Sequence, residues 1–287
     1  MDMHTNPPPP PYPTPARAAR RRFIGISTLL FLGGVTATLA SHAALPAWAG
    51  IPLCGGGTMS MTWMRMPGQT WLDAGLAFVA MWVAMMTAMM LPALAPMLWR
   101  YRLAVERGVS RHGEPARPRA GEARLDGLAA LAGLGYLAVW TAFGVAIFPI
   151  GAAVGAAAMR LPALAQAMPL AQGVVVVLGG VLQCSPWKAR HLAGSLRTPD
   201  PDRGLPADPG TAWRHGMRLG LHCGSCCAGL TAVLLAMGIM DLAAMALVTA
   251  AITAERVAPG GARVARGIGA VTLVGGLYLG LRAITGA

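Results

Sequence analysis

The chain has 287 residues, of which 55% are hydrophobic and only 12% are charged. This charged fraction is about half that of an ordinary soluble domain, which argues strongly against a soluble globular fold. The net charge is +12, but the arginines lie between apolar blocks and are not interleaved with aromatic residues as in nucleic-acid-binding chains. We therefore expect no nucleic-acid partner and interpret the charge as a determinant of membrane topology.

The N-terminal segment, residues 1–22, combines a run of prolines with four arginines and is predicted to be a disordered cytoplasmic tail. Residues 23–287 are predicted to form an all-α, polytopic transmembrane helical bundle of about seven spans in a lipid bilayer. Each apolar segment is near the length that a bilayer crossing requires, although the sixth is marginal. The segments are 23–44, 72–98, 126–149, 171–187, 219–239, 242–256 and 267–285.

The distribution of basic residues predicts the orientation of the bundle. Connections on the side of the N-terminal tail contain 20 of the 23 Lys and Arg residues. This bias places the amino terminus in the cytoplasm and the carboxyl terminus outside. Alternatively, the first segment is a cleaved signal, because Arg20-Arg21-Arg22-Phe23 resembles a twin-arginine motif and small residues follow at 41–43 and 47–49.

A cluster of metal-binding residue types opens the fifth segment. In a helix, the four side chains span about 140° of one face, so two or three of them can reach one ion. Thiolates and imidazole bind zinc or copper, and a thiolate-rich site favours Cu(I). Alternatively, each cysteine is simply a small apolar residue of a buried helix. The four residues are His222, Cys223, Cys226 and Cys227.

Four methionines of the second segment repeat this spacing and predict an opposing thioether face at a similar membrane depth. Thioether sulfur selects Cu(I) over zinc. Alternatively, these methionines serve only to pack an apolar helix. They are Met85, Met86, Met89 and Met90.

Further candidate ligands lie outside these two faces. Cys184 and His191 flank the cytoplasmic end of the fourth segment. A cysteine and methionine cluster in the external connection 45–71 is a candidate receiving site for Cu(I), unless its neighbouring tryptophans merely anchor the loop at the membrane surface. This external cluster consists of Cys54, Met59, Met61, Met64 and Met66.

Four motifs carry a family resemblance over about residues 72–258. They are Met-Trp-Val-Ala-Met-Met-Thr-Ala-Met-Met-Leu-Pro at 81–92, Gln183 to Lys188, Cys223-Gly224-Ser225-Cys226-Cys227 with Gly238-Ile239-Met240, and Glu255. Together they resemble a bacterial family of predicted metal-binding integral membrane proteins, a domain of unknown function. Some relatives are associated with copper delivery to a polyphenol-oxidase-type enzyme, so the resemblance implies copper handling. The family pattern has two cysteines where this chain has His191 and Ser195.

Three functions follow as hypotheses. The leading one is a Cu(I)-binding membrane protein that exchanges copper with a partner cuproenzyme or metallochaperone, with zinc as the alternative metal. The second is a membrane thiol-disulfide oxidoreductase that uses Cys223 and Cys226, with Cys184 or Cys227 as the resolving thiol. The third is a structural membrane subunit. A hydrolytic or ATP-driven enzyme is not expected, because the corresponding sequence motifs are missing.

Overall fold

The computed structural model describes residues 14–44, 50–52, 58–60, 63, 65, 68–111, 118–196, 204–239, 241–258 and 260–285. This part of the chain is helical except for one short antiparallel hairpin, in which Ile51 pairs with Met59. The elements are α1 (Thr14–Ala44), β1 (Gly50–Pro52), β2 (Thr58–Ser60), α2 (Trp71–Arg111), α3 (Pro118–Arg160), α4 (Pro162–Cys184), α5 (Pro186–Leu196), α6 (Pro209–Met237), α7 (Leu242–Val257) and α8 (Gly261–Thr285).

The helices confirm the predicted helical membrane bundle. Within the described ranges, 6 helices are long and apolar enough to cross a membrane: α1, α2, α3, α4, α6 and α8. The sixth predicted span corresponds to α7, whose 16 residues extend about 24 Å at about 1.5 Å per residue. This helix is shorter than the hydrocarbon core of about 30 Å and is therefore short for a complete crossing.

Several helix boundaries differ from the predicted segments. Residues 14–22, predicted as part of a disordered tail, belong to the helix α1, and residues 1–13 lie outside the described residues. The fourth span begins at Pro162 and ends at Cys184, before a break at Ser185. Proline is the first residue of four of the helices. The N–H groups of the first helical turn have no intrahelical partner, so proline, which lacks an N–H group, loses no hydrogen bond at this position. Hydropathy alone did not reveal these starts.

Capping residues define the hairpin of α6 and α7. Asp208 begins α6 by accepting a hydrogen bond from the backbone N–H of Thr211 at 2.8 Å. Asp241 accepts from the N–H groups of Ala243 and Ala244 and begins α7. Of the turn predicted at Met240-Asp241, Asp241 is the residue that precedes α7, whereas Met240 lies outside the described residues. Gly238 ends α6 with a φ of 114° that favours glycine.

Small residues bring α3 and α6 into close contact. Gly216, Gly220 and Gly224 repeat every fourth residue along α6 and lie against α3. A Cβ atom added at Gly220 would lie 3.1 Å from the backbone oxygen of Tyr136. Such spacing is typical of helix pairs that pack closely in membranes. It fixes α3 beside the cysteine-bearing part of α6.

Candidate metal centre

All three cysteines of α6 are buried, Cys223 and Cys227 in the core formed with α2 and α3, whereas His222 is exposed. Cys223 lies near the middle of α6, and Met90 lies near the middle of α2. The sequence predicted that all four side chains share one face. In the structure, that face is divided between the core and the surface.

Cys223 is the centre of a group of sulfur atoms from two helices. Its Sγ lies 3.8 Å from the Sδ of Met90 and 4.0 Å from the Sγ of Cys227. The hydroxyl of Tyr136 on α3 lies 2.9 Å from the same Sγ. The predicted opposition of the methionine and cysteine faces is thus confirmed at Met90. We call Met90, Cys223 and Cys227 the sulfur triad.

The spacing of the sulfur triad suits a soft metal ion. Metal–sulfur bonds of about 2.3 Å place the three ligands of a trigonal site about 4 Å apart. The two separations measured from Cys223, 3.8 and 4.0 Å, are close to that value. Among the described residues, no group of three His, Cys, Asp or Glu side chains converges on one metal position. A third ligand for an ion held by Cys223 and Cys227 would therefore come from the thioether of Met90.

A buried guanidinium lies against the sulfur triad. Arg256, near the end of α7, is only 8% exposed. Its Nη2 lies 3.6 Å from the Sγ of Cys227, and its Nη1 lies 3.9 Å from the Sδ of Met97. Its Nε has no hydrogen-bond partner among the described atoms, and none of the described carboxylates forms an ion pair with it. The thiol of Cys227 is therefore the acidic group in contact with this charge.

A second buried charge is compensated within its own network. Lys188 on α5 contacts the carboxylate of Glu255 on α7 at 2.6 Å, and both side chains are almost fully buried. The side chain of Gln183 bridges them, donating to Glu255 and accepting from Lys188. Lys188 is close enough to Cys226 to interact with it electrostatically. The network thus joins two of the resemblance motifs beside the cysteines.

The other candidate ligands lie elsewhere. Cys184 is exposed and its thiol contacts the backbone oxygen of Arg266 on α8 at 3.8 Å, so the structure does not bring it to the sulfur triad. His191 is half-buried between Trp187 and the exposed His222, with the two imidazole centroids 6.3 Å apart. The two histidines form a separate pair on the protein surface.

The remaining methionines fall into two groups. The side chains of Met85, Met86 and Met89 are buried in the same core as Met90. In the external cluster, Met59 is described only as a backbone position of β2. Its other members, Cys54, Met61, Met64 and Met66, lie outside the described residues.

Sequence reasoning missed two residues of the centre. Tyr136 resembles any aromatic residue of an apolar span, and nothing in its local sequence indicates a contact with a cysteine. By its position after an apolar segment, Arg256 resembles a cation of a solvated cytoplasmic connection. The available signal was the adjacent pair Glu255-Arg256 at the end of an apolar segment, since charges there need buried partners.

A family model described as PpoB2, copper chaperone, matches residues 79–279. The chain belongs to this family. The matched range starts later than the expected 72–258 and extends through most of α8. It contains every residue of the sulfur triad and Arg256, whereas α1 lies outside it. No curated protein and no solved structure matches the chain.

Proposed function

We propose that this copper chaperone family member binds Cu(I) in the bacterial inner membrane and delivers it to a partner cuproenzyme. The ligands are the sulfur triad. One observation carries the proposal: three sulfur atoms from two helices meet in the core beside a buried guanidinium that lacks a carboxylate partner among the described residues. Soft sulfur ligands of this kind select Cu(I).

Charge balance also supports Cu(I). Two thiolates and one Cu(I) ion carry one net negative charge, which the guanidinium of Arg256 neutralises. Zn(II) with the same thiolates is neutral, so the buried Arg256 would keep an uncompensated charge. Leaving a buried charge unpaired costs several kcal/mol. The Lys188 and Glu255 pair is neutral by itself and does not change this comparison.

Tyr136 has a supporting role in this proposal. Its hydroxyl, 2.9 Å from Cys223, donates a hydrogen bond to the thiolate when the metal is bound. Hydrogen bonds to charged acceptors are about twice as strong as neutral ones. The tyrosine therefore orients Cys223 and favours its ligating form without touching the metal.

Delivery requires ligands that a partner can reach. His222 is exposed and adjacent in sequence to Cys223, and His191 lies beside it. We propose this imidazole pair as the exchange point between the buried triad and a partner. The external cluster remains a candidate site for receiving copper on the other face, and Cys184 is at most an auxiliary ligand.

Elemental analysis and thiol counting on detergent-purified protein test the proposal. Copper near one per chain is the expected result. A reversible disulfide without metal would instead support the oxidoreductase hypothesis. If the protein contains neither copper nor a reversible disulfide, the structural-subunit hypothesis would be supported. Competition with a Cu(I)-specific chelator then measures affinity. Zinc displacing Cu(I) at equal free concentration would contradict the proposal.

Two matched methionine variants identify the thioether ligand. Met90→Leu and Met89→Leu both replace a buried side chain at nearly constant volume and should each cost less than about 1.5 kcal/mol of stability. Only Met90→Leu should weaken Cu(I) binding, because Met90 is the one of these two methionines whose sulfur contacts the thiol of Cys223. Equal affinities in both variants would remove the thioether from the ligand set.

A further inference from the structure

An apolar groove lies between α1 and α2, outside the metal centre. It has a volume of about 500 Å³ and is open to the surroundings of the bundle. Aromatic and aliphatic side chains form most of its wall, and two prolines of α2 contribute to it. The apolar lining includes Phe23, Ile24, Phe31, Leu91, Pro92 and Trp99.

Two arginines border the same groove. Arg20 on α1 and Arg100 on α2 lie at the same end, because the helices are antiparallel and Phe23 packs on Trp99 at 5.3 Å. Both arginines are exposed, and none of the described carboxylates pairs with either. The neighbouring cations differ in this respect. Arg22 pairs with Glu122, and Arg102 pairs with Asp126.

The length of the groove matches one membrane leaflet. Its lining extends along α1 from Arg20 to Phe31, which is about 16 Å at about 1.5 Å per residue. Half of a hydrocarbon core of about 30 Å is about 15 Å. A chain that starts at the arginines would therefore reach the middle of the bilayer at the far end of the groove.

We propose that the groove binds one anionic phospholipid, with its phosphate between Arg20 and Arg100 and an acyl chain along the apolar wall. Guanidinium groups bind phosphate oxygens in a bidentate manner. An anionic headgroup is preferred because a zwitterionic one carries a compensating cation. A soluble phosphate ion would use the arginines but not the apolar wall.

Native mass spectrometry of the full chain in detergent tests this site, with phosphatidylglycerol, phosphatidylcholine and inorganic phosphate as probes. The wild type should retain one phosphatidylglycerol in preference to the other two. The double variant Arg20→Gln with Arg100→Gln should bind it about tenfold more weakly or worse. The charge-matched control Arg17→Gln with Arg21→Gln, which changes arginines outside the lining, should keep the lipid.

A second variant tests the apolar part of the site. Ala95→Trp fills the groove without changing its charge and should also displace the lipid. Thermal unfolding shows whether it still folds. Cu(I) affinity should be unchanged in the Arg20 and Arg100 variant, so a failure here is distinguishable from a failure of the copper proposal. Equal retention of phosphatidylglycerol by wild type and double variant, equal binding of phosphatidylcholine, or an intact mass lacking α1 would overturn the proposal.

Discussion

At the scale of single residues, the cysteines of α6 have different surroundings although they lie within five positions. Cys223 contacts Met90 on α2 and Tyr136 on α3 as well as Cys227, whereas Cys226 interacts with Cys227 on its own helix and electrostatically with Lys188. On a helical wheel Cys226 is central to the cluster, but in the structure Cys223 makes the contacts between helices. The difference arises because Met90 and Tyr136 come from other helices.

We predict that Cys223→Ser weakens Cu(I) binding more than about 100-fold, since it removes a ligand rather than a group that supports one. Cys226→Ser should weaken it much less. Serine is nearly isosteric, so both variants should remain folded. Chelator competition at matched protein levels measures both affinities. A larger loss in Cys226→Ser would reverse the assignment of the central thiolate.

The charge of Arg256 makes a prediction about metal selectivity. Arg256→Met should lower Cu(I) affinity, because the two thiolates and Cu(I) would then leave one negative charge buried. Zn(II) affinity should fall less or rise, because its bis-thiolate site is neutral without the guanidinium. Parallel Cu(I) and Zn(II) titrations of wild type and variant give the ratio of Cu(I) affinity to Zn(II) affinity for each protein. An unchanged ratio would show that Arg256 does not compensate ligand charge.

At the scale of elements, the close approach of α3 and α6 positions Tyr136 against Cys223. Gly220→Leu should separate these helices, because the added Cβ would lie 2.9 Å from the Cβ of Val139 and overpacking costs about 1–3 kcal/mol. The thermal unfolding temperature and the Cu(I) affinity should both fall. Gly275→Ala on α8 is the control, since nothing lies within 4 Å of its added Cβ. A stable Gly220→Leu protein with normal affinity would show that this contact is dispensable.

At the scale of the whole molecule, the orientation of the bundle is still a prediction. Arg102, Lys188 and Arg256 are buried and are not solvated cations, but seventeen cations remain on the predicted cytoplasmic side against three. Reporter fusions near residues 110, 203 and 260 should therefore be cytoplasmic, and those near 60 and 160 external. An external reporter at 203 would reverse α4 and α6 together.

The sequence by itself determined the helical membrane bundle and which residues of α2 and α6 share a face. Hydropathy over a bilayer length and the 100° helical repeat are local properties, so neighbouring residues suffice to predict them. The tertiary structure decided which part of each face enters the site. Met90, Tyr136, Cys223 and Arg256 come from four different helices. Contacts between helices depend on the rotation and separation of neighbouring helices, which close-packing glycines set. No local pattern along one helix contains that information.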